Sequence, residues 1–305
     1  MRMLVLARKY NDIFYAISTD EWQKCEEHFL LFITDRLQKD HYPLEESFDK
    51  IFTIQAKGTA LHILYQVHKI KKIIKHIDYD YITTSNLALT ANLYMLSRRK
   101  TKDVILIEDG LMNYKDFHTS DDTKKKMLMK ILGINEEDVQ AKVSKSYMLM
   151  PESAKYYYGV LKPLLLDGKN VCKQLGIGQE LEGKSIFVGQ PVYMAHDITI
   201  KEYSDFVNRI IKEFDIDFYL PHTLSSNQEI INAKIFDITK SKATLELYAS
   251  VYNFKIYSFN SSVLYSTKLI NRNVETYSIE IKDVVKIPDG NIMRKMVNDI
   301  LVYVK

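Results

Sequence analysis

The stretch Val104-Ile105-Leu106-Ile107-Glu108-Asp109-Gly110 joins a continuous apolar run to two acidic residues and a glycine. A short apolar run bounded by turn residues is typical of a strand that is buried on both faces of a parallel sheet. Ligands of open parallel α/β sheets bind beyond the carboxyl ends of such strands. The stretch therefore predicts a buried strand that presents a carboxylate at the ligand-binding edge of a sheet.

Two later stretches have the same construction. Asp217-Phe218-Tyr219-Leu220-Pro221 leads into His222, and Lys255-Ile256-Tyr257-Ser258-Phe259-Asn260 leads into Ser261-Ser262. Each places a polar side chain directly after a strand-like run. An imidazole and a pair of hydroxyls are thus expected at the carboxyl ends of two further parallel strands.

Strand-like and helix-like segments alternate along the whole chain. In the first half, strands are predicted at 4–7, 14–18, 51–55, 81–85 and 104–107, and helices at 22–38, 59–76 and 87–99. In the second half, strands are predicted at 185–188, 217–220, 235–237 and 255–259, and helices at 200–214, from 243 onward and at 291–305. This alternation is typical of βαβ units, so we predict an α/β fold with two Rossmann-like domains that face a cleft.

The two series of segments suggest domain limits. Residues 1–180 are expected to form an N-terminal domain, residues 181–290 a C-terminal domain, and residues 291–305 a final amphipathic helix. Neither half contains a Gly-x-Gly-x-x-Gly or P-loop motif, which argues against a dinucleotide or ATP site of the usual kind.

The composition is that of an ordinary globular protein, with 46% hydrophobic and 27% charged residues. The net charge of +3 is too small to indicate nucleic-acid binding. Cys25 and Cys172 have no disulfide-framework spacing and are expected to be reduced thiols. The apolar part of the amino terminus is too short for a signal peptide, and no run approaches the roughly 20 apolar residues of a spanning helix. We therefore expect a cytoplasmic protein, either soluble or peripheral to a membrane.

The motif Glu108-Asp109-Gly110 has two interpretations. Acidic residues after a strand, followed by a glycine that permits a tight turn, occur as turn residues or helix N-caps. Alternatively, a carboxylate at the mouth of a cleft takes the proton from an attacking hydroxyl as a general base. The residues by themselves leave both interpretations open.

His222 and the serine pair also have a structural and a chemical interpretation. A single histidine is commonly structural, but an imidazolium beside a departing phosphate donates a hydrogen bond or a proton. Ser261-Ser262 precede a helix-like segment, where serines act as N-caps and the exposed N–H groups bind anions. Glu246, early in a predicted helix, is either a solvated carboxylate or a partner of ribose hydroxyls.

The run Lys69-Ile70-Lys71-Lys72-Ile73-Ile74-Lys75 is basic and amphipathic. One interpretation is a surface helix whose lysines are solvated. The other is a helix that is attracted to an anionic membrane surface.

In this order and spacing, the motifs resemble those of the bacterial sialyltransferases of lipooligosaccharide and capsule synthesis. The resemblance is to family 52 glycosyltransferases in particular, including streptococcal capsule enzymes. These carry an acidic-acidic-Gly motif in the first domain and His-Pro and Ser-Ser/Thr motifs in the second, which Glu108-Asp109-Gly110, His222 and Ser261-Ser262 match. Phe187-Val188-Gly189-Gln190-Pro191 resembles the opening strand of the family's nucleotide domain. Thr223 departs from the pattern, because the family usually has proline there.

The resemblance implies a GT-B architecture, with the donor CMP-sialic acid on the second domain, the acceptor sugar on the first, and a final helix that packs back across both. It implies inverting transfer to a sugar hydroxyl, expected to be terminal galactose of a capsular polysaccharide or lipooligosaccharide, without a cofactor or metal. Asp109 would be the general base and His222 the general acid or phosphate stabiliser. The remaining expected site residues are Gly189, Gln190, Pro221, Glu246, Ser261 and Ser262 for the donor and Glu108, Gly110 and Asn86 for the acceptor.

The expected partners are therefore a nucleotide-sugar donor and an oligosaccharide acceptor. In one interpretation the acceptor is lipid-linked at a membrane surface. Nucleic acid is not an expected partner. A related GT-B enzyme with another donor and a polysialyltransferase are alternatives, which the motifs do not separate. A catalytically silent nucleotide- or carbohydrate-binding protein of capsule assembly is a further alternative. The intact Asp109 and His222 argue against it, because a binding module needs no base.

Overall fold

The alternating segments form two parallel sheets in two compact units, Met1–Leu166 (unit 1) and Asp167–Lys305 (unit 2). This computed structural model describes residues 1–34, 44–55, 60–75, 77–87, 89–98, 103–114, 123–222, 224–238, 243–282, 284–286 and 292–304. Within those ranges, none of the helices has the length and apolar character needed to span a membrane.

Unit 1 is built on a seven-stranded sheet in the order β3-β2-β1-β4-β5-β6-β7. All of its neighbouring strands pair in parallel. The strands are β1 (Arg2–Ala7), β2 (Glu27–Thr34), β3 (Lys50–Gln55), β4 (Tyr81–Thr84), β5 (Val104–Ile107), β6 (Val143–Met148) and β7 (Val160–Pro163). The predicted strand 104–107 is confirmed as β5, and all four of its residues are buried.

Both faces of this sheet are covered, which explains why its strands are continuous apolar runs. Leu4 and Leu6 of β1 belong to one buried cluster, and Met3 and Val5 belong to the cluster on the opposite face. Successive side chains of a strand point to opposite faces, so two cores require apolar residues at every position. The helices that supply the cover are Tyr10–Ile17, Asp20–Lys24, Ala60–Ile74, Thr90–Ser97, Thr123–Ile131 and Glu136–Gln140.

Two segments of unit 1 adopt the structure opposite to the one predicted. Residues 14–18, predicted as a strand, lie mostly in the helix Tyr10–Ile17. Residues 22–38, predicted as a helix, contain the end of the helix Asp20–Lys24 and all of β2. Residues 35–38 lie outside the described residues. Periodicity does not separate a short apolar strand from a buried helix. The pairing of β2 with β1 and β3 decides its structure here.

Unit 2 is built on a six-stranded parallel sheet in the order β10-β9-β8-β11-β12-β13. Its strands are β8 (Ser185–Val188), β9 (Phe218–Leu220), β10 (Lys234–Ile235), β11 (Lys255–Phe259), β12 (Glu275–Ile281) and β13 (Asp299–Tyr303). Its helices are Gly168–Gln174, Ile200–Glu213, Leu245–Ala249, Ser262–Ile270 and Ile292–Met296.

Unit 2 begins earlier than the predicted limit at residue 181. The helix Gly168–Gln174 buries Val171 and Cys172, and the Cys172 thiol lies 3.9 Å from the Leu247 carbonyl oxygen. Gly168 is in close contact with Ser250, since a Cβ there would lie 1.7 Å from the Ser250 hydroxyl oxygen. These contacts place the segment from Asp167 onward in the second unit.

The prediction of a single helix at 291–305 is wrong. Ile292–Met296 forms a short helix, and Asp299–Tyr303 forms β13, which pairs in parallel with β12 at the edge of the sheet. Alternate residues Leu301 and Tyr303 pack on the core of unit 2. The apolar residues at helical spacing that suggested a helix, Ile292, Met296, Ile300 and Val304, are thus divided between the short helix and the segment that includes β13. Pairing with the edge strand β12 favours the extended conformation for the later residues.

We predict that Tyr303→Ala lowers the free energy of unfolding by about 2 kcal/mol, since it removes a half-buried ring from the core. That ring meets Phe206 edge-on at 5.4 Å between centroids, and the Arg209 guanidinium lies 5.9 Å from its centroid. Val302→Ala is the control in the same strand, because Val302 is 61% exposed, and should change the free energy by about 0.5 kcal/mol or less. Denaturant titrations of both variants measure the difference, and equal effects would contradict the packing of β13.

Candidate functional site

The carboxyl ends of β1, β4 and β5 bring three polar side chains together in unit 1. β4 lies between β1 and β5 in the sheet, so the residues that follow these strands are neighbours at one edge. Lys9 follows β1, Asn86 follows β4 and Asp109 follows β5. Asp109 therefore lies at the edge where the sequence predicts a carboxylate, with a cation and an amide beside it.

Both carboxylate oxygens of Asp109 accept a hydrogen bond. Lys9 Nζ donates to Oδ1 at 2.8 Å, and Asn86 Nδ2 donates to Oδ2 at 2.8 Å. The Asp109 side chain is 15% exposed and that of Lys9 is 47% exposed. A charge-assisted hydrogen bond from one side and an amide from the other hold the carboxylate in one orientation. It remains accessible from solvent.

The loop that carries Asp109 is itself fixed by hydrogen bonds. The Asp109 backbone N–H donates to Asn113 Oδ1 at 2.6 Å, and the fully buried Asn113 side chain donates to the Tyr156 carbonyl oxygen at 3.0 Å. Gly110 has φ +74°, in the left-handed region that favours glycine. The Gly110 turn therefore sets the direction of the chain directly after the carboxylate.

Lys9 interacts with a second carboxylate, that of Asp12, which is fully buried. The Asp12 Oδ2 atom accepts from the backbone N–H groups of Arg8 at 2.8 Å and Lys9 at 3.2 Å. Burial raises the pKa of Asp12, and the Lys9 ammonium acts in the opposite direction. The Lys9 ammonium thus interacts with two carboxylates, that of Asp12 at the start of the helix Tyr10–Ile17 and that of Asp109.

Glu108 does not share the setting of Asp109. Its side chain is fully buried, and its Oε2 atom accepts from the Tyr114 hydroxyl at 2.6 Å and from the Leu149 backbone N–H at 2.9 Å. Burial raises the pKa of this carboxyl to about 7. The sequence predicts Glu108 among the acceptor-side residues, whereas the structure turns its side chain into the core of unit 1. It anchors the end of β5 to the segment that follows β6.

A second group of polar residues follows β8, β9 and β11 in unit 2. β8 lies between β9 and β11, and the residues that follow these strands are Gln190, His222 and Ser261. Gln190 Nε2 donates to Ser261 Oγ at 3.1 Å. The structure therefore brings the predicted glutamine and serine into direct contact at one edge of the sheet.

Gly189 occupies a position where no side chain fits. A Cβ atom at this residue would lie 2.4 Å from the Tyr219 hydroxyl oxygen, well inside contact distance. The Gly189 backbone N–H also donates to the Leu220 carbonyl oxygen at 2.8 Å, which continues the β8–β9 pairing. The glycine is required for this close approach, and it sets the position of Gln190.

Ser261 is the N-cap of the helix Ser262–Ile270, as predicted for the serine pair. Its Oγ atom accepts from the Val263 backbone N–H at 3.4 Å, and its side chain is buried, whereas Ser262 is exposed. Glu246 accepts a hydrogen bond from the Ser266 hydroxyl at 2.8 Å, one turn further along this helix. The positive end of the helix dipole lies at this helix start and suits an anionic group.

His222 lies in a turn that directs its ring nitrogens. Nδ1 accepts from the Leu224 backbone N–H at 3.1 Å, so a neutral ring carries its proton on Nε2. The His222 backbone N–H donates to the Ser225 hydroxyl at 3.1 Å. Thr223, where the sequence departs from the family pattern, lies outside the described residues. The ring borders a pocket of about 340 Å³ lined by Tyr219, Pro221, His222, Ser225, Ser226, Asn227, Glu229, Ile231 and Ile235.

A tyrosine network lies beneath this pocket. Glu229 accepts from the hydroxyls of Tyr193 at 2.6 Å and Tyr219 at 2.9 Å, and the Tyr203 and Tyr219 hydroxyl oxygens are 3.2 Å apart. The Ser226 backbone N–H donates to the Tyr193 hydroxyl at 2.8 Å. Burial raises the pKa of all three tyrosines, so they remain protonated donors. The network ties the loop after β9 to the segment after β8.

Sequence reasoning missed several residues that build these two groups. Lys9 and Asp12 follow a predicted strand, so their position at its carboxyl end was an available signal. Asn113 and Glu229 had no signal, because they bond to Tyr156 and Tyr193, which are 43 and 36 positions away in sequence. In the part of the chain that the structure describes, no group of three or more His, Cys, Asp or Glu side chains is arranged to hold a metal ion.

The structure is similar to several solved structures of sugar-nucleotide epimerases. UDP-GlcNAc 2-epimerase from Methanocaldococcus jannaschii gives a TM-score of 0.53 at 10% identity, over 99% of this chain and 89% of that chain. A putative UDP-N-acetylglucosamine 2-epimerase from Listeria monocytogenes gives 0.53 at 8% identity, over 93% and 80%. The epimerase from Rickettsia bellii gives 0.52 at 12% identity, over 93% and 79%. At such identities the likeness shows the fold alone, and it confirms the predicted GT-B class with two Rossmann-like domains.

No curated protein sequence matches this chain. The family model described as "Glycosyltransferase family 52" matches residues 26–283, which include Asp109, His222, Ser261 and most of both sheets. The chain therefore belongs to glycosyltransferase family 52.

Proposed function

We propose that this glycosyltransferase moves sialic acid from CMP-sialic acid to a hydroxyl of an acceptor sugar, with inversion at the anomeric carbon. The observation that carries the proposal is the order of motifs in a family 52 chain, with Asp109 after β5, His222 after β9 and Ser261-Ser262 after β11. Unit 2 binds the donor and unit 1 the acceptor. The acceptor is terminal galactose of a capsular polysaccharide or lipooligosaccharide, lipid-linked at the cytoplasmic face of the membrane.

The donor side acts by stabilising the departing phosphate. As the bond between the anomeric carbon and the phosphate oxygen breaks, positive charge develops on the sugar ring and negative charge on CMP. Ser261 and Ser262 supply hydroxyl donors and a helix start, and His222 supplies an N–H on Nε2. Because these donors are fixed before the reaction, they stabilise the developing charge without reorganisation. Glu246, at the side of the same helix, is suited to accept from ribose hydroxyls.

The acceptor side acts by removing a proton. The acceptor hydroxyl oxygen attacks the anomeric carbon from the face opposite to CMP, and its proton passes to the Asp109 carboxylate as the new bond forms. The hydrogen bonds from Lys9 and Asn86 support this role, because they fix both carboxylate oxygens. Orientation of a base in this way contributes to rate through proximity.

We predict that Asp109→Asn lowers turnover by about 10²–10⁴-fold, the range typical of general-base catalysis. The substitution keeps the shape and removes the basicity. CMP affinity should be unchanged, because Asp109 belongs to the acceptor side. Initial rates with CMP-sialic acid and calorimetry with CMP test both statements, and a variant that kept more than about a tenth of wild-type turnover would refute the assignment.

Glu108→Gln is the matched control for that experiment, because this buried carboxyl is expected to affect stability rather than the reaction. Its pKa is raised from 4.5 to about 7, so the folded state binds the proton more tightly than the unfolded state. The stability that this provides is present below pH 4.5 and is lost as the pH rises towards 7, by up to about 3 kcal/mol. Unfolding free energies measured across this range should fall for the wild type and much less for Glu108→Gln.

The donor site should prefer cytidine nucleotides. Calorimetry should show tighter binding of CMP than of UDP or GDP, and Ser261→Ala/Ser262→Ala should weaken CMP binding by roughly 1.5–3 kcal/mol for a lost hydrogen bond to a charged group. His222→Ala should weaken both CMP binding and turnover. Preferential binding of UDP would overturn the sialic acid donor and leave the glycosyltransferase class intact.

Transfer should proceed without a divalent metal ion, since the phosphate charge has hydroxyl, imidazole and backbone donors. Turnover measured after exhaustive dialysis against EDTA should equal that of the untreated enzyme. Loss of turnover that Mg²⁺ or Mn²⁺ restores would show that the leaving group is stabilised by a metal instead.

A further inference from the structure

The helix Ala60–Ile74 of unit 1 has an outward face that the proposed reaction does not use. Leu64, Tyr65, His68, Lys69, Lys71, Lys72 and Lys75 are exposed and are called the lysine face below. At 3.6 residues per turn these positions fall within roughly half of the helix circumference. The opposite side is buried, with Gln66 6%, Val67 7% and Ile70 0% exposed. The interpretation of an amphipathic basic helix is therefore confirmed for residues 63–74, and Lys75 follows directly after the helix.

The charges of the lysine face are not compensated within the part of the chain that the structure describes. No described carboxylate forms an ion pair with Lys69, Lys71, Lys72 or Lys75, and the helix Ala60–Ile74 contains no acidic residue. The whole chain carries +3, so without these four charges the remainder would carry −1. These four lysines lie on one side of a helix that has no acidic residue, so this face is locally positive.

The lysine face also carries apolar side chains. Leu64 is 42% exposed and Tyr65 is 48% exposed. The Lys69 ammonium lies 5.4 Å from the centroid of the Tyr65 ring, so a cation and an aromatic ring are presented together. Basic residues beside exposed Leu and aromatic residues are typical of helices that lie in a lipid interface.

We propose that the lysine face docks unit 1 on an anionic lipid bilayer, with the lysines at the headgroups and Leu64 and Tyr65 entering the interface. A cluster of four lysines on an amphipathic helix matches the charge of such a surface. The apolar residues favour a bilayer over a nucleic acid or an anionic polysaccharide, which offer no apolar layer to receive them. This docking is independent of the donor and of the catalytic assignments.

The experiment is sedimentation of the full chain with vesicles. Wild-type protein should bind vesicles rich in phosphatidylglycerol and should not bind vesicles of pure phosphatidylcholine. Lys71→Gln/Lys75→Gln should weaken binding about 25-fold, the loss expected for two charges that each contribute about a factor of five at an anionic surface. Raising the salt concentration should weaken wild-type binding further, because the Debye length falls.

Lys201→Gln/Lys212→Gln is the matched control, since it removes two exposed lysines from the helix Ile200–Glu213 of unit 2. It should leave vesicle binding unchanged. Leu64→Gln keeps every charge and should weaken binding to the anionic vesicles, whereas its effect on binding to a single-stranded nucleic acid should be nil. Melting curves and transfer to a soluble acceptor verify that all variants are folded.

The proposal is overturned if wild-type protein does not bind anionic vesicles, or if the two double variants lose binding equally. It is also overturned by a combination of two results. In that combination, Leu64→Gln leaves vesicle binding unchanged, and the lysine substitutions abolish binding to a nucleic acid or an anionic polysaccharide as well as to vesicles. Transfer to a soluble acceptor reports on the proposed function separately, so failure of one does not imply failure of the other.

Discussion

Parallel strand pairing is the constraint on which both polar groups of this protein depend. In each sheet every strand runs in the same direction, so the residues that follow neighbouring strands meet at one edge. Lys9, Asn86 and Asp109 are up to 100 positions apart in sequence, yet their side chains are hydrogen-bonded. Gln190 and Ser261 meet in the same way, 71 positions apart. The strands are held by backbone hydrogen bonds and two-sided burial, which leave the loops free to carry chemistry.

The two edges differ in their electrostatics. In unit 1, Asp109 is paired with a lysine ammonium and lies near the buried carboxylate of Asp12. In unit 2, the corresponding positions carry an amide, an imidazole and hydroxyls, next to a helix start. The first arrangement fixes the carboxylate that we propose as the base, and the second places amide, imidazole and hydroxyl groups where we propose that the donor phosphate binds. This contrast is the physical support for assigning acceptor chemistry to one unit and the phosphate of the donor to the other.

Glu108 and Asp109 show how strongly the direction of a side chain determines its chemistry. They are adjacent, and both follow the same buried strand. Since successive side chains point to opposite sides, one carboxylate enters the core and the other faces the sheet edge. Burial raises the pKa of Glu108 to about 7 and gives it the Tyr114 hydroxyl as partner. Asp109 keeps its solvent access and receives the cation instead.

The sequence by itself determined the α/β class, most of the strands that carry site residues, and the positions of Asp109, His222 and the serine pair. It could do so because a buried parallel strand requires a continuous apolar run, and the next polar residue then marks the edge. The tertiary structure alone decided that 27–34 is a strand, that β13 replaces the end of a predicted helix, and which residues surround Asp109. The position of Lys9 at the end of β1 could be read from the sequence, but its pairing with Asp109 could not. Strand pairing and the distant partners of Asn113 and Glu229 likewise depend on which surfaces meet when the chain packs, and local sequence patterns do not contain that information.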